Sequence, residues 1–221
     1  MSENTLPKPW YLKHIWVLAA AVGVLSLTIL RCASSRDLTH LAQLYKVAPF
    51  ELVDQSGAPF SSNELNGKVW IASMVFTSCR TECPMIGKAN QELQQALAGL
   101  PEVRLVSFSV DPEFDTPALM NTWGQQFGAD PARWKLLTGP RKAIESIVID
   151  GFKTHMSDRK VEGGLVQIAH TMKLILVDAD GYVRHYFDAT VPKDLSLIAA
   201  YAKKFTEEAR EKTQAQGGKP Q

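Results

Sequence analysis

Apolar and polar residues change period several times along the chain, and each change marks an element. Residues 15–30 form an uncharged apolar run, roughly 16 residues against the ~20 that cross a bilayer, extended by Trp10, Tyr11 and Leu12 if Lys13 reaches the interface. Residues 33–47 are polar with one amphipathic patch, Leu38, Leu41 and Leu44, and read as a stalk. Residues 50–57 alternate and end in Ser56-Gly57, the pattern of a hairpin arm. Residues 69–76 are almost continuously apolar and predict a central strand. Ile86, Ala89, Leu93 and Leu97 recur at three- and four-residue spacing, so residues 85–97 predict a helix. A second inner strand is predicted over 103–110. After it come a turn, a cap at Asp115 or Thr116, and Pro117 opening a helix that runs to about Phe127. Residues 134–137 predict a strand and 143–149 a helix. Residues 171–177 and 182–187 predict a hairpin around an Asp-Gly turn. Residues 192–210 predict a closing helix with Leu195, Ile198, Tyr201 and Phe205 on one face, followed by a disordered tail, 211–221.

Strands alternating with helices, then a hairpin and a last helix, describe an α/β sheet covered on both faces. With Cys79 and Cys83 at the first strand-to-helix turn, the expected architecture is a thioredoxin-like fold behind an N-terminal transmembrane anchor. The boundaries so predicted are an inner segment 1–14, the anchor 15–31, a stalk 32–46, the folded domain 47–210 and the tail 211–221. A cleaved signal peptide and a buried soluble helix are the rivals for the anchor. Arg31 stands where small residues precede a signal cut, and it also argues against lipidation of Cys32. Lys8 and Lys13 before the run and Arg31 and Arg36 after it leave the orientation open.

Charge and cysteine content narrow the chemistry. A net charge of +1, with scattered Lys and Arg, gives no footprint for nucleic acid. Three cysteines are too few for a disulfide-built scaffold, and two of them are closely spaced. Pro84 is well placed in a first helical turn, so the helix is expected to begin near Cys83. Unpaired amides, the positive end of the helix dipole and Arg80 all favour thiolates there. The spacing is C-x-x-x-C; on a helix, i and i+4 share a face, which lets both sulfurs hold one metal or form a disulfide. Soft thiolates select Cu(I) or Zn, and a third ligand must come from elsewhere. Among the histidines, His14 lies at the membrane edge, His40 in the stalk, His155 in a polar loop and His185 within a strand, where a surface place is expected. His170 directly precedes the strand of 171–177. No proline lies between Pro140 and Pro192, so His170 occupies the loop where thioredoxin-like oxidoreductases usually carry a cis-proline. Met85, Met156 and Met172 carry soft thioethers, although methionine more often fills core. Asp111 ends an inner strand beside the cysteine strand, where a supporting or docking role competes with a plain turn.

Three motifs in order carry a resemblance: Phe76-Thr-Ser-Cys79-Arg-Thr-Glu-Cys83-Pro84, Val106-Ser-Phe-Ser-Val-Asp111-Pro-Glu-Phe-Asp115-Thr-Pro117, and His170 ahead of the last hairpin. From about Val47 to Phe205 the chain resembles the Sco (SenC) family of membrane-anchored copper chaperones. The resemblance implies that Cys79, Cys83 and His170 bind copper, Cu(I) or Cu(II), taken from a donor. It implies delivery to, or thiol reduction at, the binuclear copper site of cytochrome c oxidase, with that copper-site subunit as partner. It also implies an inner-membrane protein, N-terminus inside, with its domain in the bacterial periplasm or the mitochondrial intermembrane space. Two residues depart from the family pattern. Ala169 stands where an acidic residue often precedes the histidine, and Arg80 where proline often follows the first cysteine. Arg80 is expected to lower thiolate pKa values while opposing a bound copper ion. The alternative is a thiol–disulfide oxidoreductase or peroxidase-like protein using Cys79 or Cys83, against which the wide spacing and the missing proline count. A redox-sensing domain without metal traffic is the third reading.

Overall fold

The computed structural model describes residues 40–217 together with Val17 and Val22. The chain divides into two compact units, residues 1–40 and 41–221, and the fold below is that of the second. Apart from those two valines, the expected anchor 15–31 lies outside the described residues, as does His14. Among the described residues no helix is long and apolar enough to cross a membrane.

The strands are β1 (Tyr45–Lys46), β2 (Glu51–Asp54), β3 (Pro59–Ser61), β4 (Trp70–Val75), β5 (Arg104–Ser109), β6 (Trp134–Thr138), β7 (Lys160–Glu162), β8 (Leu165–Gln167), β9 (Lys173–Val177) and β10 (Tyr182–Asp188). The α-helices are α1 (Cys83–Ala96), α2 (Pro117–Gln126), α3 (Arg141–Glu145) and α4 (Pro192–Gly217). Eight strands form one mixed sheet in the order β1-β10-β9-β4-β5-β6-β2-β3, and β7 and β8 form a separate hairpin. β4, the expected central strand, pairs parallel with β5 and antiparallel with β9. All six of its residues are buried, which is why that stretch reads as an unbroken apolar run. The one polar member, Ser73, shares a hydrogen bond with Ser107 at 2.8 Å, and Asn90 of α1 and the Trp134 indole donate into the same pair. Buried hydroxyls are thus paired across β4, β5, β6 and α1.

Several boundaries differ from the sequence reading. Lys46, expected in the stalk, is in β1 and pairs with Tyr182, so the end of that segment is part of the sheet. Helical structure begins at Arg141 and passes into a π-helical turn, Ser146–Gly151, that sets Phe152 fully buried between the rings of Trp70 and Phe108. α4 runs on to Gly217, into the segment expected to be disordered. The ion pair Lys212–Asp180 at 2.8 Å ties that extension to the body, next to the pair Arg210–Glu102 at 2.6 Å at the end of the expected helix. The loop around His155 contains the β7–β8 hairpin, whose turn residues Gly163 and Gly164 have φ of 58° and 78°. Two successive positive φ values make the primed turn that suits a two-residue hairpin, and Gly-Gly supplies it without strain.

Candidate metal and thiol site

The site forms where β4 ends. Antiparallel pairing of β4 with β9 brings the start of β9, and His170 just before it, beside the turn that follows β4. Cys83 opens α1, with Pro84 in the first turn as the sequence predicts. Cys79 is not on the helix, however, so a shared helical face is not what joins the sulfurs. Cys79 lies in the preceding turn, and its Sγ accepts the Cys83 amide at 3.3 Å, capping a helix end to which Glu82 lends no side chain. The Cys83 Sγ in turn accepts the Phe76 amide at 3.4 Å. Both thiols are free; Cys79 keeps 7% of its surface exposed and Cys83 none.

His170 Nε2 lies 3.6 Å from Cys83 Sγ. Its Nδ1 sits 2.9 Å from the Thr171 carbonyl, which can only accept, so Nδ1 carries the proton and Nε2 presents its lone pair to the sulfur. Phe76 packs edge-on against the imidazole at 5.7 Å. Burial holds the His170 pKa below the ordinary histidine value, keeping the ring neutral and able to ligate. The two thiols are driven apart. The hydrogen bond from Cys83, with backbone amides of Cys83, Thr81 and Glu82, lowers Cys79, whereas the same bond and burial raise Cys83. Arg80, expected to lower the thiols, is exposed and makes no described contact with Cys79. The thiolate is favoured first by the Cys83 hydrogen bond and then by backbone amides.

The turn is held from β5. Asp115 is fully buried and receives the Thr77 amide at 3.1 Å, the Thr77 hydroxyl at 2.6 Å and the Ser109 hydroxyl at 2.6 Å. Its expected capping role falls to Thr116, whose Oγ1 accepts the Leu119 amide. Asp111, also buried, pairs with Arg159 at 3.0 Å and so ties the end of β5 to the segment leading into β7. In place of a proline, the loop before β9 is fixed by pairing with the His155 segment. Met156 bridges to His170, the Ser157 amide donates to the Ala169 carbonyl, and the Ala169 amide donates to Ser157 Oγ. Ser157 thus steadies the histidine loop where an acidic neighbour was expected. His40, His155 and His185 are exposed, and His185 packs on Phe187 as a surface residue. Met85 is exposed and Met156 and Met172 half-buried, with no described contact to either thiol.

The donor set is soft: two sulfurs and a neutral imidazole. Bonds of about 2.3 Å to sulfur and about 2.0 Å to nitrogen put the two donors about 3.5 Å apart at a tetrahedral angle, close to the 3.6 Å between Cys83 and His170. Among the described residues no three His, Cys, Asp or Glu side chains are already gathered to hold a metal. Cys79 would have to swing its sulfur from the Cys83 amide toward the other pair.

Several known proteins resemble this chain. The chain is 36% identical to the SCO1 protein homolog of Bacillus subtilis over 141 residues, covering 63% of this chain and 72% of that one. The structure of BsSco, described as a member of the Sco family of cytochrome c oxidase assembly proteins, matches with a TM-score of 0.67 at 32% identity, covering 76% of this chain and 98% of that one. Bradyrhizobium japonicum ScoI with copper bound matches with a TM-score of 0.63 at 28% identity, covering 73% and 99%. Residues 39–207 match the SCO1/SenC family profile, and the chain belongs to that family.

Proposed function

We propose that this chain is a membrane-anchored copper chaperone that binds copper, as Cu(I) or Cu(II), through Cys79, Cys83 and His170. The recipient is the binuclear copper site of cytochrome c oxidase, to which it delivers metal or whose thiols it keeps reduced. The observation that carries this reading is the neutral His170 imidazole aimed at Cys83 across 3.6 Å, with Cys79 hydrogen-bonded to the same residue. Copper-bound ScoI shares the fold at 28% identity, which supports the cargo. Residues 15–31 serve as the single-pass inner-membrane anchor, with the folded domain in the periplasm or the intermembrane space.

In this mechanism Cys79 supplies a ready thiolate and Cys83 a thiol whose proton passes to solvent as metal binds, which leaves the Nε2 lone pair of the neutral His170 free to ligate. Transfer proceeds by ligand exchange with the recipient's own donors. Joining the Cys79 thiolate to Cys83 in a disulfide passes two electrons to an oxidant such as a partner's disulfide, releases the one proton of Cys83 and removes both sulfur donors, so the pair is also a redox gate.

The test is a copper titration of the reduced full chain in detergent, following thiolate-to-copper absorption. One equivalent bound by the parent, with a weakened and shifted band in His170→Ala, is the expected result. No binding by the parent sinks the reading, and an unchanged band in the variant removes His170 from the ligand set.

A second reading, a thiol–disulfide oxidoreductase or peroxidase-like protein, is favoured by the split between the two thiols, one lowered and barely accessible, one raised and fully buried. That split suits an attacking and a resolving cysteine. Insulin reduction at a rate comparable to thioredoxin's would promote it.

A further inference from the structure

A cleft of about 340 Å³ runs alongside the thiol turn, near the lower end of the ~300–1,000 Å³ usual for binding sites. Phe76, Arg80, Thr81 and Glu82 form one wall and residues 165–169 the other. Side chains alternate between the faces of a strand, so a wall of five successive residues is a strand seen edge-on. The hydrogen bonds agree. Ala169 directs both its amide and its carbonyl to Ser157. On an extended segment the groups of Ile168 and, by alternation, Val166 point the other way, toward the cleft. Among the described residues no hydrogen bond occupies the Ile168 amide or carbonyl. β8 is paired on one side alone, with β7. This is the state that recruits another strand.

We propose that this β8 edge is the docking site for an extended segment of a partner polypeptide, which adds as a third strand and places a cysteine of its own against Cys79. The occupant follows from the groups on offer. Unsatisfied amides and carbonyls two residues apart match an extended backbone, and Ser78 and Arg80, which flank Cys79 in sequence, line the cleft that this edge faces. Arg80 and Glu82 on the facing wall have no ion-pair partner among the described residues, so the segment carries one acidic and one basic residue opposite them. Exposed Val161 and Leu165 on the hairpin supply apolar contact beyond the backbone bonds. This deepens the chaperone reading by naming how the client is held, and it rests on that reading's thiol site. Its test uses no copper, so failure of copper binding and failure of docking are separate results.

The experiment uses the full chain in detergent carrying Cys83→Ser, so that a mixed disulfide on Cys79 persists. The probe is a seven-residue peptide of alternating valines with one aspartate, one lysine and a central cysteine held as its disulfide with thionitrobenzoate. The Cys79 thiolate attacks the peptide sulfur; the Cys79–peptide bond forms as the old disulfide breaks, and released thionitrobenzoate reports the rate. A second peptide, identical but N-methylated along its backbone, keeps the thiol chemistry and loses strand pairing. The expected result is a rate at least tenfold higher for the first peptide. Val166→Pro, which removes an outward amide without touching the β7 pairing, should bring the two peptides to equal rates. Equal rates in the starting chain overturn the proposal without reference to any edge variant. A tenfold advantage retained in Val166→Pro overturns the assignment to this edge.

Discussion

Three donors converge on the buried Asp115 carboxylate, two from Thr77 in the turn that leads to Cys79 and one from Ser109 at the end of β5, so the carboxylate ties the turn to that strand. Burial is the largest influence on this carboxyl and holds it above the ordinary aspartate range, with the hydrogen bonds opposing. Asn has the same shape but turns one acceptor into a donor facing donors. Leaving a buried group unpaired costs about 1–3 kcal/mol, so Asp115→Asn should shift the urea midpoint by that much with an unchanged m value, and should weaken copper binding through a loosened turn. An unchanged midpoint would show the turn to be held by other contacts. From the sequence, Asp115 or Thr116 reads as the helix cap, because Pro117 directly after them makes the local explanation complete. Its bonds to Thr77 span 38 positions, a distance no capping pattern encodes. Cys79 and Cys83 stood out by type and spacing, and His170 by its place directly before the strand of 171–177 and by the family resemblance; the fold brings the three side by side. The backbone amides that favour the Cys79 thiolate were legible at the helix start, whereas the hydrogen bond from Cys83, the largest influence, was not, because it depends on how the two side chains turn toward each other.

Element by element, the apolar periods located β4, α1, β5, α2 and the β9–β10 hairpin to within about two residues, since each is long and has one dominant face. The β7–β8 hairpin escaped because its strands are mostly exposed and only Gly163-Gly164 marks it. Gly87 in α1 is a similar case. A Cβ there would lie 2.6 Å from the Phe127 ring, which is itself packed on Trp123. Ala normally favours a helix interior over Gly by about 0.5–1 kcal/mol, but overpacking costs about 1–3 kcal/mol. Gly87→Ala should therefore lower the thermal midpoint, and a rise would show that Phe127 yields freely. At the other end of the site, Asp188 joins Lys173 of β9 to the turn before α4, and bonds from Thr190 and Lys173 hold its pKa down to about 2. Its folded pKa is below the unfolded value, so its contribution is present above pH ~4 and is lost as pH falls toward 2. Asp188→Asn should flatten the acid limb of the stability curve between those values; an identical limb would place the effect elsewhere.

Across the molecule, Arg184 links regions far apart in sequence. Its guanidinium is almost fully buried, pairs with Asp178 at 2.8 Å, lies 4.2 Å from the Phe205 ring centroid and donates to the carbonyls of Leu41 and Ala42. Breaking a buried pair from one side costs about 3–5 kcal/mol. Asp178 keeps the amides of Asp180 and Tyr182, so Arg184→Met should cost about 3 kcal/mol and open residues 41–47 to protease. Protease resistance equal to the parent's would mean that β1 alone secures that segment. The sheet order has a consequence in time. Cys83 and His170 meet because β9 runs back along β4, yet they are 87 positions apart. At synthesis rates of about 5–20 residues per second, the thiol pair leaves the ribosome roughly 4 to 17 seconds before its histidine. During that interval the nascent chain offers two sulfurs and no imidazole, so premature oxidation or mismetallation is a hazard of the newborn chain that the finished sheet removes.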